Sequence, residues 1–285
     1  MSHLTGRRVA AADGLALSRI ICDGHDGRDP GRERFAEART IVLLRGTFTV
    51  DDGRRRTVLD PATALFVAAD QELTFRHPRG DGDVCLSIGG ALAARLTSQI
   101  QGVRLLTSTG YLRLQRLASR PHKGATDVLG IEETIAGALA ASTPPSTRGS
   151  KRDRDLATAI AYEISSRFDE PLSLSQLARS VDVSPYYAAR VFRRVFGTSI
   201  HQHQLELRLR HALTLLVDTE FDLSRIALDV GFANHGHFTN YFRRRFGAPP
   251  SQARRLFQGR RGSAGAASMR WYHSASGAGR PLTKP

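Results

Sequence analysis

The sequence predicts an α+β chain. A β-rich N-terminal half closes into a small barrel or sandwich and is followed by helices. An all-α C-terminal third then holds two helix-turn-helix units joined by a linker helix. Three observations carry this reading. Short apolar and β-branched runs separated by turn residues fill 15–90. Apolar spacing changes to a helical period beyond residue 90. An internal repeat, helical in both copies, occupies the last third.

The strands come first. Leu15 to Cys22 is an apolar run with β-branched pieces, and Thr40 to Val50 reads as one continuous strand. Asp51-Asp52-Gly53 is a hairpin signal leading into a strand from Arg54 to Leu59. Pro61 marks a turn, and Ala64–Ala68, Glu72–His77 and Val84–Ile88 complete the series. From 91 to 141 the pattern is helical. Leu114 and Leu117 share a side, and Ile131, Ile135, Ala138 and Leu139 form a stripe that packs at home or serves a dimer. Pro, Ser and Thr then dominate a stretch without periodicity, and a Gly/Ser/Ala-rich basic tail ends the chain. The expected division is 1–141, a linker over 142–152, a helical domain over 153–257, and a disordered tail over 258–285.

The repeat is the strongest signal. Leu174-Ser-Gln-Leu-Ala178 matches Leu223-Ser-Arg-Ile-Ala227, and Val191 to Gly197 matches Tyr241 to Gly247 with one residue gained near Ala233. In the first copy Ser173 and Gln176 make a capping box, and Leu174, Leu177, Ala178 and Val181 form the buried stripe. Asp182 and Val183 turn, Ser184 caps the second helix, and Pro185 suits its first position because a missing N–H costs nothing there. In the second copy Asp222 caps the first helix, Gly231 supplies a left-handed turn residue, and Asn234 caps the next helix. Phe238, Phe242 and Phe246 form the buried side of that helix, and Pro249 and Pro250 stop it. A helix over about Gln204–Val217, apolar at Leu205, Leu209, Ala212, Leu213 and Leu216, holds the two copies apart. A preceding helix over about Arg154–Phe168 carries Leu156, Ile160 and Ile164.

A second helix of such a unit enters the major groove and reads bases from its N-terminal half. In the first unit Tyr186, Ala189 and Arg190 hold that place, with Arg190 matched to guanine by its planar fork. In the second, His235, Thr239 and Asn240 do, with Asn240 suited to adenine. Arg193 and Arg194, and Arg243, Arg244 and Arg245, suit phosphates. Ser184 and Asn234 add helix N-terminal contacts.

Residues 153–256 resemble the AraC/XylS family of bacterial transcription regulators. The resemblance rests on Ile226-Ala227, Gly231-Phe232, His237-Phe238, Phe242-Arg243-Arg244, Phe246-Gly247, Pro250-Ser251 and Arg254. Two positions depart from the pattern: Ala253 replaces an aromatic, and Asn240 stands where arginine is common in the second reading helix. The resemblance implies a regulator that binds double-stranded DNA with its units in successive major grooves, and RNA polymerase as a partner. It also implies a homodimer formed through the first half. The β-rich half resembles the cupin-like sensor domains of the same family, which implies a cupin-like β-barrel able to bind a small-molecule effector.

Composition agrees with a polyanion partner. The net charge is +14, with arginine far in excess of lysine. No apolar run reaches membrane-spanning length and no signal-like core is present, so a cytoplasmic protein is expected. No phosphate-binding glycine loop, nucleophile elbow or paired catalytic carboxylates appear, so no enzyme activity and no cofactor are expected. Cys22, His25, His77 and Cys85 are metal-ligand types, but their spacing matches no standard site and the simpler reading is core cysteines with surface histidines.

Overall fold

Alternation within single strands explains how the sheet half is layered. In β4 (Arg39–Arg45) every residue from Thr40 to Leu44 is buried, because both faces of its sheet are covered. The computed structural model describes residues 3–12, 14–23, 31–76, 83–119 and 128–258. The remaining strands are β1 (His3–Ala12), β2 (Leu15–Asp23), β3 (Gly31–Arg34), β5 (Phe48–Asp51), β6 (Arg56–Leu59), β7 (Thr63–Val67), β8 (Glu72–Arg76), β9 (Asp83–Gly89) and β10 (Gly102–Leu105). Strands β1-β2-β9-β4-β7-β10 form one antiparallel sheet, and β3-β8-β5-β6 a second.

The strands therefore make two separate sheets, and the expected single closed barrel does not form among the described residues. Ile41, Leu43, Leu65 and Val67 of the large sheet meet Phe48, Val50, Leu73 and Phe75 of the small one, and this packing fills the space between them. The continuous strand expected over Thr40–Val50 breaks at Gly46, where the chain leaves one sheet for the other. Gly46 has φ 96°, and a Cβ there would lie 1.6 Å from the Asp83 carboxylate. Three strands fall outside the sequence reading: β1, β3, and β10, which lies inside the stretch read as helical.

The other face of the large sheet carries Leu17, Val42, Leu44, Phe66, Leu86 and Ile88. Helices α1 (Ala91–Gln99), α2 (Ser108–Ser119) and α3 (Val128–Ala140) cover it. The stripe of Ile131, Ile135, Ala138 and Leu139 is spent in this core. The Ser/Thr/Pro stretch is also anchored: Thr143 bridges Leu105, and the Ser146 amide donates to the Val195 carbonyl at 2.8 Å.

The helical third comprises α4 (Lys151–Ser166), α5 (Leu174–Ser180), α6 (Pro185–Phe196), α7 (Ile200–Asp218), α8 (Leu223–Asp229), α9 (His235–Phe246) and α10 (Pro250–Gln258). Helix α10 was missed because Pro249-Pro250 reads only as a stop; proline is equally suited to begin a helix. Helix α7 starts earlier than expected, at Ile200, because Ser199 and Gln202 form a capping box. It then runs beneath the sheet half. Thr214 and Tyr111 hydroxyls both donate to the Leu44 carbonyl at 2.9 Å. Arg210 donates to the Pro61 and Leu106 carbonyls at 2.5 and 2.6 Å. Asp60 accepts from Ser165 at 2.9 Å and pairs with His203 at 3.2 Å. Burial alone would raise the Asp60 carboxyl, but the His203 pairing, with Ser165 and the Ala62 amide, holds it below the usual carboxylate range.

Candidate nucleic-acid interface

Each helix-turn-helix unit begins from its caps. Ser173 accepts from the Gln176 amide, and Gln176 answers on the Ser173 amide. Ser184 accepts from the Tyr187 amide, with Pro185 in the first turn of α6. In the second unit Asp222 caps α8 through the Arg225 amide, and Asn234 caps α9 through the His237 amide at 2.8 Å. Both reading helices end on a left-handed glycine, Gly197 and Gly247.

The aromatic periodicity sets the inward faces. Phe192 and Phe196 stack in α6, and along α9 Phe238 meets Phe242 edge to face and Phe242 meets Phe246 at a tilt. Phe192, Phe238 and Phe242 are fully buried, and Phe246 is half-buried. Leu174, expected on the buried stripe of α5, is 38% exposed because only Leu177 and Ala178 reach the core from that short helix.

The outward faces hold the residues expected to meet DNA. Ser184, Arg190, Arg193 and Arg194 are exposed, Tyr186 is 76% exposed, and Ala189 is half-buried. On α9, Asn234, His235, Asn240, Arg243 and Arg244 are exposed. Thr239 is half-buried, with its hydroxyl 3.3 Å from the His235 ring. Neither α6 nor α9 contains an acidic residue, so each outward face is wholly cationic or neutral. Such a surface attracts phosphates and repels few of them.

Sequence reasoning missed the groups that hold these faces in place. Asp153 of α4 accepts from the Tyr187 hydroxyl at 2.7 Å and from Arg194 at 2.9 Å, so Arg194 is already paired within the chain. The Tyr187 bond, with the Ser150 amide and the Arg194 and Arg190 charges, lowers the Asp153 pKa. Glu206 of α7 accepts from Arg245, Arg210 and Ser108, which ties the end of α9 to α7 and to α2. Burial disfavours the Glu206 charge, but Arg210 and Arg245 more than offset it and the pKa falls.

Arg208 is the strap between the units. From α7 it donates to the Phe168 and Glu170 carbonyls behind unit one, and to the Gly231 carbonyl in the turn of unit two, each at 2.7 Å. Its signal in the sequence was one of two arginines, with Arg210, amid the apolar periodicity of α7, and each reads equally as a solvated position.

Among the described residues no group of three or more His, Cys, Asp or Glu could hold an ion. His25, His77 and the Cys22 side chain lie outside the described residues, and Cys85 is half-buried on β9. No described helix is long and apolar enough to cross a membrane.

A family profile described as a helix-turn-helix domain matches residues 177–256. Over 97 residues the chain is 35% identical to the HTH-type transcriptional regulator GlxA of Rhizobium meliloti (strain 1021), covering 34% of this chain and 30% of that protein. It is 33% identical over 98 residues to the melibiose operon regulatory protein of Escherichia coli (strain K12), covering 34% of this chain and 32% of that one. A solved transcriptional regulator from Chromobacterium violaceum, described as AraC-type DNA-binding domain-containing, is 28% identical. It aligns over 100% of its length and 39% of this chain, at a TM-score of 0.36. The chain spans about a third of the length of the curated relatives it matches.

Proposed function

We propose, from the AraC-type helix-turn-helix domain that residues 177–256 form, that the whole chain is a sequence-specific DNA-binding transcription regulator. One observation carries the reading. Two exposed reading helices without an acidic residue are mounted on a common strut, α7, and strapped by Arg208. Rigid mounting matters because two readers held at a set separation address one bipartite site. Arg190 is the principal base reader, and Tyr186 and Ala189 offer apolar contact to a thymine methyl. His235, Thr239 and Asn240 read the second half-site. Arg193, Arg243 and Arg244 hold phosphates, and Ser184 and Asn234 place helix N-termini against the backbone. Arg194 joins them by exchanging Asp153 for a phosphate.

In this reading, 1–141 is a cupin-like sensor and dimerisation domain, 142–152 the connection, 153–257 the DNA-binding domain and 258–285 a basic tail. The packing of α7 against the sheet half supports effector responsiveness: a small molecule that bound the docked and undocked arrangements unequally would change how the readers are held. A homodimer acting with RNA polymerase in the cytoplasm completes the proposal. Selection from random duplex DNA tests it. A bipartite motif with halves about one helical turn apart is the expected result. Pools that stay unenriched, with every duplex bound alike, overturn it.

A further inference from the structure

The basic surface of the first unit does not end at α6. Next to it stands the N-terminus of α4, where Lys151 and Arg152 are exposed, and Arg152 and Arg190 both act on the Tyr187 hydroxyl. Lys151 in turn lines an open cleft of about 790 Å³ whose other wall is the β5–β6 hairpin, with Arg54, Arg55 and Arg56, and Arg76 of β8. Cations thus stand on the reading helix, at the start of α4 and, across the cleft, on a hairpin of the sheet half.

The hairpin is built to present them. Asp52 accepts from the Arg54 and Arg55 amides at 2.9 and 2.7 Å, and Asp51 accepts from the Gly53 amide at 2.9 Å, so the aspartates hold the turn. Arg56 is paired with Asp51 at 3.7 Å. Arg54 and Arg55 are exposed and form no ion pair among the described residues. Asp155 and Glu163 on α4 line the same cleft and repel an anion seated between them. A small anionic ligand is therefore disfavoured there. A polyanion that passes over the rim and meets Arg54, Arg55 and Lys151 is favoured.

We infer that the β5–β6 hairpin is a DNA-backbone clamp: Arg54 and Arg55 of the sheet half hold phosphates beside the duplex segment read by α6. The inference rests on the DNA-binding reading, and it makes the sheet half itself a part of the DNA interface. Phosphate contacts do not depend on sequence, so the clamp can be tested on random duplex as well as on a selected site.

The test measures affinity against salt for the wild-type chain, R54A/R55A, the charge-keeping R54K/R55K, and a control, R95A/R113A. The control removes two cations from α1 and α2, on the far face of the large sheet. Loss of two phosphate contacts makes the slope of log K against log salt shallower by about 2, and lowers affinity roughly tenfold at moderate salt. R54K/R55K restores most of it. The hydroxyl-radical footprint of R54A/R55A on the selected site loses one protected backbone patch next to the unit-one half-site, while base preferences stay as in the wild type. An unchanged slope and footprint overturn the clamp, as does an equal change in the control. Failure to select any motif overturns the sequence-specific reading but leaves the slope comparison on random duplex decisive for the hairpin.

Discussion

The two helix-turn-helix units share a repeat and differ at one turn, and the difference shows what each unit is attached to. In unit one the left-handed turn position is Asp182, with φ 52°; in unit two it is Gly231, with φ 84°. The amide that follows closes the same bond in both: Val183 to the Ala178 carbonyl at 3.0 Å and Phe232 to the Ala227 carbonyl at 2.8 Å. Aspartate tolerates this conformation where its side chain has room, and Asp182 is exposed. Gly231 has none, since a Cβ would stand 2.2 Å from the Asp169 carbonyl. Unit two is pressed against the backbone at Asp169, behind unit one, whereas the turn of unit one faces outward.

The attachments differ in the same sense. Unit one holds its reading helix through Asp153, at the margin of the domain. Unit two is held through α7, where Glu206 accepts from Arg245 and is itself paired with the buried Arg210, which also grips the sheet half. The largest expected effect follows. Arg210→Ala leaves the Pro61 and Leu106 carbonyls unpaired and the Glu206 charge half-compensated, at a cost of about 3–5 kcal/mol. Urea unfolding measures it. A loss no greater than that of Asp153→Asn, the corresponding cut in unit one, would dissolve the contrast between a buried and a marginal attachment.

The next effect exchanges the turn residues themselves. Gly231→Asp forces a side chain onto the Asp169 carbonyl and disturbs the carbonyl that Arg208 grips, costing about 3 kcal/mol from overpacking and strain. Asp182→Gly changes stability by about 1 kcal/mol or less. Matching midpoints for the two variants would mean that both turns are equally free.

A smaller effect concerns reading. Removing a bidentate contact costs about 1–3 kcal/mol of discrimination at one base pair. Arg190→Ala is expected to relax one position of the selected motif by that amount, and Asn240→Ala to relax its position less. The comparison is read by competition among single-base variants of the site. Equal weakening on every sequence would place Arg190 on phosphate.

How much of this was legible depended on whether a feature is local. Caps, the aromatic period and the left-handed Gly231 are written in neighbouring residues, and the sequence placed α6 and α9 to the residue. The sheet switch at Gly46 was not legible, because it depends on Asp83 arriving from a distant strand. Arg208 and Arg210 read as ordinary charged helix positions, and only the carbonyls they meet from Pro61, Leu106, Phe168 and Glu170 make them structural. The Arg54–Arg55 hairpin was read for its turn and not for its charge, since its neighbour α4 lies far away in sequence.

The last and mildest effect is set by pH at the joint between the units. His211 of α7 is buried and stacks on Phe168 with ring centroids 3.9 Å apart. Burial, reinforced by the Arg45 charge and opposed by Asp60, lowers its pKa from 6.5 to about 3. The unfolded chain takes a proton on this ring below about pH 6.5, which the folded chain refuses until about pH 3. Its contribution to stability is therefore whole above 6.5 and declines as the pH falls toward 3. Lowering the pH from 6.5 to 5.5 costs about 1 kcal/mol through this group. Asp60 acts in a lower window, because its folded carboxyl is held below its unfolded value and its stabilisation fades only as carboxylates protonate. His211→Phe keeps an aromatic ring against Phe168 and removes the proton site. Its stability should be flatter than that of the wild type between pH 6.5 and 5. Parallel curves over that interval would show that the ring at the joint is open to protonation, and the seam between the two units would then be a wet one.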